Sequence, residues 1–328
     1  MIPLSILELG RVRQGYDRRD ALDNARALAR HAEGLGFRRF WVAEHHNSPA
    51  VSTAATSVVL SHIAAGTTTI RVGAGGIMLP NHAPYVIAEQ FGTLETLFPG
   101  RIDLGLGRAP GTDQMSLRAL RRDSGNAENF PQDVLELQAF LGPKGPTQRI
   151  EAVPGSGTNV PLWILGSSLF GAQLAAALGL PYAFGSQFSP QALHQALEAY
   201  RANFKPSEQL QKPYTVIGVN VVAAETDAEA KMLWTSQQMT FADLFRGKIS
   251  LLQPPIDDIE EYWTPREKFQ AEQMLSCSVI GSADTVRHGL TRLVADTQAD
   301  ELMIVSDIFD FDNRLRSLEI TTHAVGQR

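Results

Sequence analysis

Apolar residues along this chain come in short runs, separated by longer segments that carry a single apolar stripe. The runs are LSILEL (4–9), FRRFWVA (37–43), TIRVGA (69–74), RIDLGLG (101–107), PLWILG (161–166), PYAFGS (181–186), YTVIGVNVVA (214–223) and ELMIVS (301–306). Their lengths and their bounding turn residues are those of buried strands. Amphipathic patterns between them predict helices near 18–34, 52–65, 84–98, 131–141, 168–178, 190–204, 226–244 and 283–296, with a closing helix at 311–324. Eight strands alternating with helices point to an α/β fold, a (β/α)8 TIM barrel, in preference to an open doubly wound sheet. The chain reads as one such domain over 1–328, without short-period repeats or low-complexity tracts. Two connections are long for a barrel: RAPGTDQMSLRALRRDSGNAEN after the fourth strand, and the stretch from about 240 to 276 after the seventh. Loops that follow strands surround a barrel's catalytic mouth, so both are expected to lie over a ligand.

Composition narrows the function classes. A formal net charge of −6 argues against a nucleic-acid or anionic-membrane binder, whose footprint is basic. The single cysteine, Cys277, rules out an internal disulfide, fits a reducing compartment and reads as structural. The opening MIPLSILEL lacks the basic region of a signal peptide, and no uncharged apolar stretch approaches bilayer length. A soluble cytoplasmic protein is expected.

Candidate chemistry gathers at strand ends. In FWVAEHHN the alternation of an extended strand puts Trp41, Ala43 and His45 on one face and Phe40, Val42 and Glu44 on the other. Glu44 and His45 are therefore poorly placed to share one ion. Glu44 with His46 would need further ligands, such as His62 or His82. Without HExxH, CxxC or a His-x-His pair on the first strand, no metal is expected. On the fourth strand Asp103, Gly105 and Gly107 share a face; with glycines turned inward, the mouth has room for something flat. Arg108 stands just beyond and suits an anionic group. Gly105-x-Gly107 is not a dinucleotide fingerprint, because no third glycine follows at the required offset. Gly166, Ser167 and Ser168 precede a strong helix. One serine is accounted for by N-capping, whereas two hydroxyls with free N–H groups make a phosphate cradle that Arg108 and the Arg118, Arg121 and Arg122 group can reach from neighbouring loops. No GxSxG elbow is present, which disfavours a serine hydrolase.

The segments GFRRFWVAEHHN, GAGGIMLPNHAP, AEQFGTLETLFPGRIDLGLGRAPG and WILGSS, in this order at successive strand ends, resemble the bacterial luciferase-like, flavin-dependent monooxygenases, in particular a small single-subunit enterobacterial branch. The resemblance covers essentially the whole chain. It implies a barrel that holds reduced FMN, or in some branches the deazaflavin F420, at its mouth, and oxidation of a small organic substrate by O2 added at flavin carbon 4a. By position His45 matches the catalytic histidine. A non-proline cis peptide against which the ring stacks maps to Gly75 and Gly76. Arg108 matches the arginine near the flavin phosphate, and Gly166, Ser167 and Ser168 match the phosphate turn. Glu44 would support from behind, His46 would orient its loop, and Glu8 and Asn81 would reach the ring's polar edge. Gly107 stands where luciferase has a cysteine, so light emission is not implied. A separate NAD(P)H:flavin reductase and a homodimer, formed through helices near STAATSVVLSHIAAG, are the partners the resemblance implies. The alternatives are F420-dependent hydride transfer, a flavin-binding protein without turnover, and a metal-dependent barrel hydrolase.

Overall fold

Alternation decides which residues fill the barrel and which fasten the helices to it. In the computed structural model, which describes residues 2–109 and 113–326, the strands are β1 (Leu4–Glu8), β2 (Arg39–Val42), β3 (Arg71–Met78), β4 (Ile102–Gly107), β5 (Leu162–Gly166), β6 (Tyr182–Phe184), β7 (Thr215–Ala223), β8 (Ser278–Gly281) and β9 (Glu301–Val305). All pair in parallel, in the order β6-β5-β4-β3-β2-β1-β9-β7-β8, and a β6–β7 pairing closes the ring. Eight strands thus form the TIM barrel. β8 stands outside it, added to the end of β7 through Asn220–Ala223. This strand was absent from the sequence reading because SVIG is four residues long and only partly buried.

The helices that matter for the site are α2 (Thr56–Ala64), α3 (Pro84–Leu97), α4 (Gln114–Ala119), α6 (Leu169–Leu178), α8 (Asp227–Phe245), α9 (Pro265–Met274) and α11 (Phe311–Ala324); α1, α5, α7 and α10 cover Arg18–Gly34, Phe130–Leu141, Leu193–Asn203 and Ala283–Thr297. Among the described residues no helix is long and apolar enough to cross a membrane. Outward residues such as Leu4, Phe40, Val42, Val72 and Leu104 pack with the helices in the main core. Inward residues Leu7, Trp41, Trp163, Ala183 and Met303 form a separate core inside the barrel.

Below that inner core the barrel is closed by charge. Arg39 Nε donates to Glu301 at 2.8 and 3.1 Å, and its Nη1 donates to Asp103 at 2.8 Å. Asp103 also accepts from Arg71 and from the Trp41 indole, while Glu301 accepts from Tyr214 and Ser5. The inward face of β4 is therefore less open than the glycines suggested. Asp103 is fully buried in this plug, and a side chain on Gly105 would lie 2.3 Å from the Ala74 carbonyl. Only the last glycine, Gly107, opens on free space: a Cβ there would meet nothing nearer than 3.9 Å.

Three loops are laced together over the mouth. Arg11 bridges Val51, Arg13 bridges Leu252, and Leu252 N–H bonds the Val12 carbonyl at 2.9 Å. The long stretch after β7 is thus a helical excursion. α8 comes first, a loop returns to the rim at 248–252, and α9 and β8 lie over a satellite core of Trp234, Phe241, Trp263 and Ile308.

Candidate active site

At the C-terminal ends of the strands lies a cavity of about 590 Å³ with mostly apolar walls. Sites on this fold occur at that face. His45, Gly75, Gly76, Arg108, Gly166, Ser167 and Ser168 all border it, so the structure brings together residues that lie as far as 123 positions apart.

The floor on one side is backbone. The β3–β4 register shifts between Ala74 and Ile77, and the Gly75–Gly76 peptide is cis, where the family resemblance put it. A Cβ on Gly75 would lie 2.6 Å from Leu7 Cδ1, and one on Gly76 would lie 2.7 Å from the Gly105 carbonyl oxygen. Glycine is required at Gly76 by close approach of the β4 backbone, whereas at Gly75 a side chain would crowd Leu7 and Trp41.

Arg108 is exposed and stacks its guanidinium over Phe170, 4.1 Å from the ring centroid, with no carboxylate bonded to it among the described residues. Ser168 has the extended backbone of the α6 N-cap, yet its hydroxyl makes no capping hydrogen bond. The capping explanation for that hydroxyl is removed. Two hydroxyls, a guanidinium and the first N–H groups of α6 are left facing one end of the cavity, a donor set suited to a phosphate.

His45 is half-buried, and its Nδ1 is enclosed without a partner among the described residues. Burial, reinforced by the Arg11 cation, lowers its pKa to about 4. Arg11 is held by Asp307 at 2.9 Å. The imidazole is therefore uncharged at neutral pH.

Glu44, assigned by alternation to the other face, also borders the cavity, but its carboxylate is fully engaged by protein groups. Its Oε1 accepts from His46 Nε2 at 2.6 Å and from His82 Nε2 at 2.8 Å, and its Oε2 accepts from Met78 N–H at 3.1 Å. Burial acts to raise the Glu44 pKa, but these bonds prevail and hold it at about 2; the bond to Glu44 raises that of His46. The carboxylate fastens the loop after β2 to the turn after β3. Glu44, His46 and His82 also form a group whose ligand atoms lie within 4.8 Å of one another. His82, rather than His62, completes it; His62 lies by Asp23. Hydrogen bonds alone account for this geometry. The Glu44 contribution to stability is present above about pH 4.5 and lost as pH falls toward 2; that of His46 is present below pH 6.5 and lost as pH rises through its elevated pKa. Glu44→Gln is expected to lower Tm at pH 6 by roughly 3–6 °C, from about 2 kcal/mol of charge-assisted bonding. Scanning calorimetry between pH 4 and 9 checks this, and the variant's Tm should vary less with pH over that range.

Other expectations fail. Glu8 turns outward, bonds Gly10 N–H at 2.5 Å and pairs with Arg314 at 2.8 Å, so it does not border the cavity. Asn81 and the Arg118, Arg121 and Arg122 group are also absent from its walls; Arg122 donates to the Asn81 carbonyl instead. Cys277 is buried beside the Gly218 carbonyl, as a structural cysteine should be. Residues missed by sequence reasoning are Arg11, Gln187, Asn220, Gln237 and Lys248. Asn220 carried a signal, being a polar residue inside the apolar strand VIGVNVVA.

The profile of the family described as luciferase-like monooxygenase matches residues 2–301. The chain is 50% identical over 320 residues to a luciferase-like monooxygenase of Escherichia coli K12, covering 97% of this chain and 96% of that one. The chain belongs to the luciferase-like monooxygenase family. Among its members, an N-acetyl-S-alkylcysteine monooxygenase of Bacillus subtilis is 31% identical over 334 residues, covering 99% and 98% of the two chains. The crystal structure of apo-MsnO8 shares the fold with a TM-score of 0.88 at 34% identity, covering 100% of this chain and 99% of that one. The luciferase-like fold extends to more distant structures. The oxygenating constituent of 3,6-diketocamphane monooxygenase in complex with FMN has a TM-score of 0.72 at 18% identity, with 99% and 97% covered. An F420-dependent secondary alcohol dehydrogenase has 0.70 at 15%, with 99% of each covered.

Proposed function

We propose that this luciferase-like monooxygenase uses reduced FMN, delivered by a separate NAD(P)H:flavin reductase, and O2 to oxidise a small, largely apolar organic substrate. The observation that carries this reading is the pairing of Arg108, without a carboxylate partner among the described residues, and an uncapped Ser168 at one end of the cavity with a side-chain-free floor at Gly75–Gly76. That arrangement matches a planar ring with a phosphate tail. Gly107 and Gly166 leave space along the way: Cβ atoms there would meet nothing nearer than 3.9 and 3.8 Å.

When bound, reduced FMN supplies the electrons that activate O2. The protein's part is to bind, shield and manage protons. Arg108, Ser167 and Ser168 hold the phosphate. Phe130, Phe170 and Phe241 exclude water from the reacting end. His45, kept uncharged at neutral pH by burial and by Arg11, offers the reacting groups a neutral ring that relays a proton without carrying a fixed charge.

Oxygen uptake faster than that of free reduced FMN, with organic product formed from a panel of thioethers, aldehydes, alkanes and sulfonates, supports the proposal. Uptake at the free-flavin rate without product overturns it. F420-dependent hydride transfer is the second reading, suggested by the F420-binding structure of the same fold; absorbance titration with both cofactors separates the two. Arg108→Ala is expected to weaken FMN binding about 10–100-fold through loss of a charge-assisted phosphate contact, while riboflavin, lacking the phosphate, binds as before. Fluorescence quenching of each ligand measures this. A homodimer through α2 and α3 is supported by Val58 and Val86, 67% and 42% exposed there, and sedimentation equilibrium tests it.

A further inference from the structure

Among the described residues, the side chains that border the cavity and carry charge at neutral pH are Arg11, Glu44, Arg108 and Lys248. Glu44 is engaged by His46, His82 and the Met78 N–H, and Arg108 stands with Ser167 and Ser168 at the end that suits a phosphate. Two cations remain, Arg11 and Lys248. They come from distant parts of the chain, and the lacing of the rim brings them to one side of the mouth. Leu252 N–H donates to the Val12 carbonyl at 2.9 Å, and Gln14 N–H donates to the Leu252 carbonyl at 2.8 Å. The loop that follows β1 is thereby joined to the loop that returns at 248–252.

Arg11 is held in place but not used up. Asp307 takes only its Nε, at 2.9 Å. Nη1 and Nη2 have no acceptor among the described residues, and neither is sealed from the surface, so the fork of N–H donors they carry is open to a ligand. The bond to Asp307 fixes that fork before anything binds, which lowers the entropy lost on binding. The guanidinium also lies by His45, where its charge is felt more strongly than that of Glu44, the chain neighbour of His45. Lys248 is exposed, and its ammonium meets no carboxylate among the described residues. Around these cations the lip is apolar: Phe188, Leu244 and Ile249 are 44, 52 and 57% exposed, and all three border the same cavity. A few charged donors set in apolar walls are what orients a ligand in a pocket of this kind.

We infer that Arg11, assisted by Lys248, takes up an anionic head on the substrate, a carboxylate or sulfonate carried by an apolar body, and so sets which end of that body meets the flavin. The inference rests on the reading that flavin and substrate share this cavity. In the ring of eight strands β1 lies opposite β5, so Arg11 stands across the mouth from the Gly166–Ser168 turn. A phosphate anchored at that turn leaves Arg11 to a second anion. A guanidinium fork matches either oxyanion with paired, charge-assisted N–H···O bonds. The same two cations disfavour a cationic substrate, and the apolar lip suits the alkyl or aryl remainder. The other source of an anion is the flavin phosphate itself, and the test distinguishes the two.

The experiment uses the full chain loaded with oxidised FMN and titrates it calorimetrically with octanoate and octane-1-sulfonate, and with the neutral octanamide and 1-octanol. The expected result is that at least one anion binds about 10-fold or more tighter than both neutral ligands, and that Arg11→Gln cuts this advantage to less than about 3-fold while FMN affinity stays within about 3-fold. The anion that binds more tightly names the head group. Equal affinity of charged and neutral ligands, absence of binding by all four, or an advantage that survives Arg11→Gln overturns the inference. A larger loss of FMN affinity in an Arg11→Gln protein of unchanged circular dichroism, with riboflavin bound as before, assigns the flavin phosphate to Arg11 and also overturns it. Should Arg11→Gln not fold, because Asp307 loses its partner, Lys248→Met at the exposed rim is read in its place: a fall in the anion advantage of about 2-fold or more supports the inference, and an unchanged advantage overturns it. Failure of the flavin reading is separate: a protein that binds neither FMN nor F420 yet still prefers the anions keeps this subsite and loses the proposed cofactor.

Discussion

Replacing His45 with alanine is expected to cut product formation about 100-fold or more while oxygen uptake continues and emerges as hydrogen peroxide. The size follows from the usual contribution of a positioned acid–base group. On the proposed function the direction follows from the site: the apolar walls and the Arg108, Ser167 and Ser168 group survive the substitution, so flavin should still bind and oxygen still be consumed, but the proton would no longer be managed. His46→Ala is expected to be much milder, because His46 reaches the cavity only through Glu44 and its loop. Parallel assays of product and peroxide with supplied reduced FMN decide the matter; a defect confined to His46→Ala would reverse the assignment. The wild-type profile should show an acid limb as pH falls toward about 4, where the imidazole gains its proton. The sign for stability agrees. With a folded pKa near 4 against 6.5 unfolded, the unfolded chain binds more protons between those values, so stability falls as pH drops through that window.

Arg39→Met is expected to destabilise the barrel by about 3–5 kcal/mol, the cost of removing one partner from a buried charge network. Arg39 is 4% exposed, lies over the Trp163 ring at 4.4 Å and separates two carboxylates, Glu301 and Asp103, that are fully buried. Without it Glu301 retains Tyr214, Ser5 and Arg38 at 4.0 Å, and Asp103 retains Arg71 and Trp41. Arg38 is half-exposed and at the outer limit of an ion pair, so it compensates the buried Glu301 charge only weakly. Urea titration measures the loss, and a change below about 1 kcal/mol would show that the plug is not a coupled unit. Replacing Arg39, Asp103 and Glu301 together by apolar residues of similar volume should cost less than Arg39→Met alone, since no uncompensated charge remains.

The eight barrel strands and the helices between them were legible because each is marked by a local pattern that burial on one or two faces imposes. Alternation put Trp41, Ala43 and His45 on the inner side, where the structure has them, whereas Glu44, assigned to the other face, borders the cavity as well. β8 and α9 were not legible, since a four-residue partly buried strand and a mostly polar helix carry too weak a pattern. At the site, His45, Arg108 and the Gly166–Ser168 turn sit at strand ends and could be found one by one. Glu8 and Asn81 sit at or just past strand ends too, and neither borders the cavity. Position along a strand predicts depth and face, whereas the partner met there depends on a different part of the chain.

The amino-acid sequence determined the element order, the inner and outer faces and the family, because these follow from short-range periodicity and from motifs contiguous in the chain. Tertiary structure alone decided that burial, reinforced by Arg11, keeps His45 neutral, and that Glu44 reaches across 38 positions to His82. Electrostatic shifts and hydrogen-bond satisfaction act over a few ångströms of space. Residues far apart in sequence enter that range only when the barrel closes.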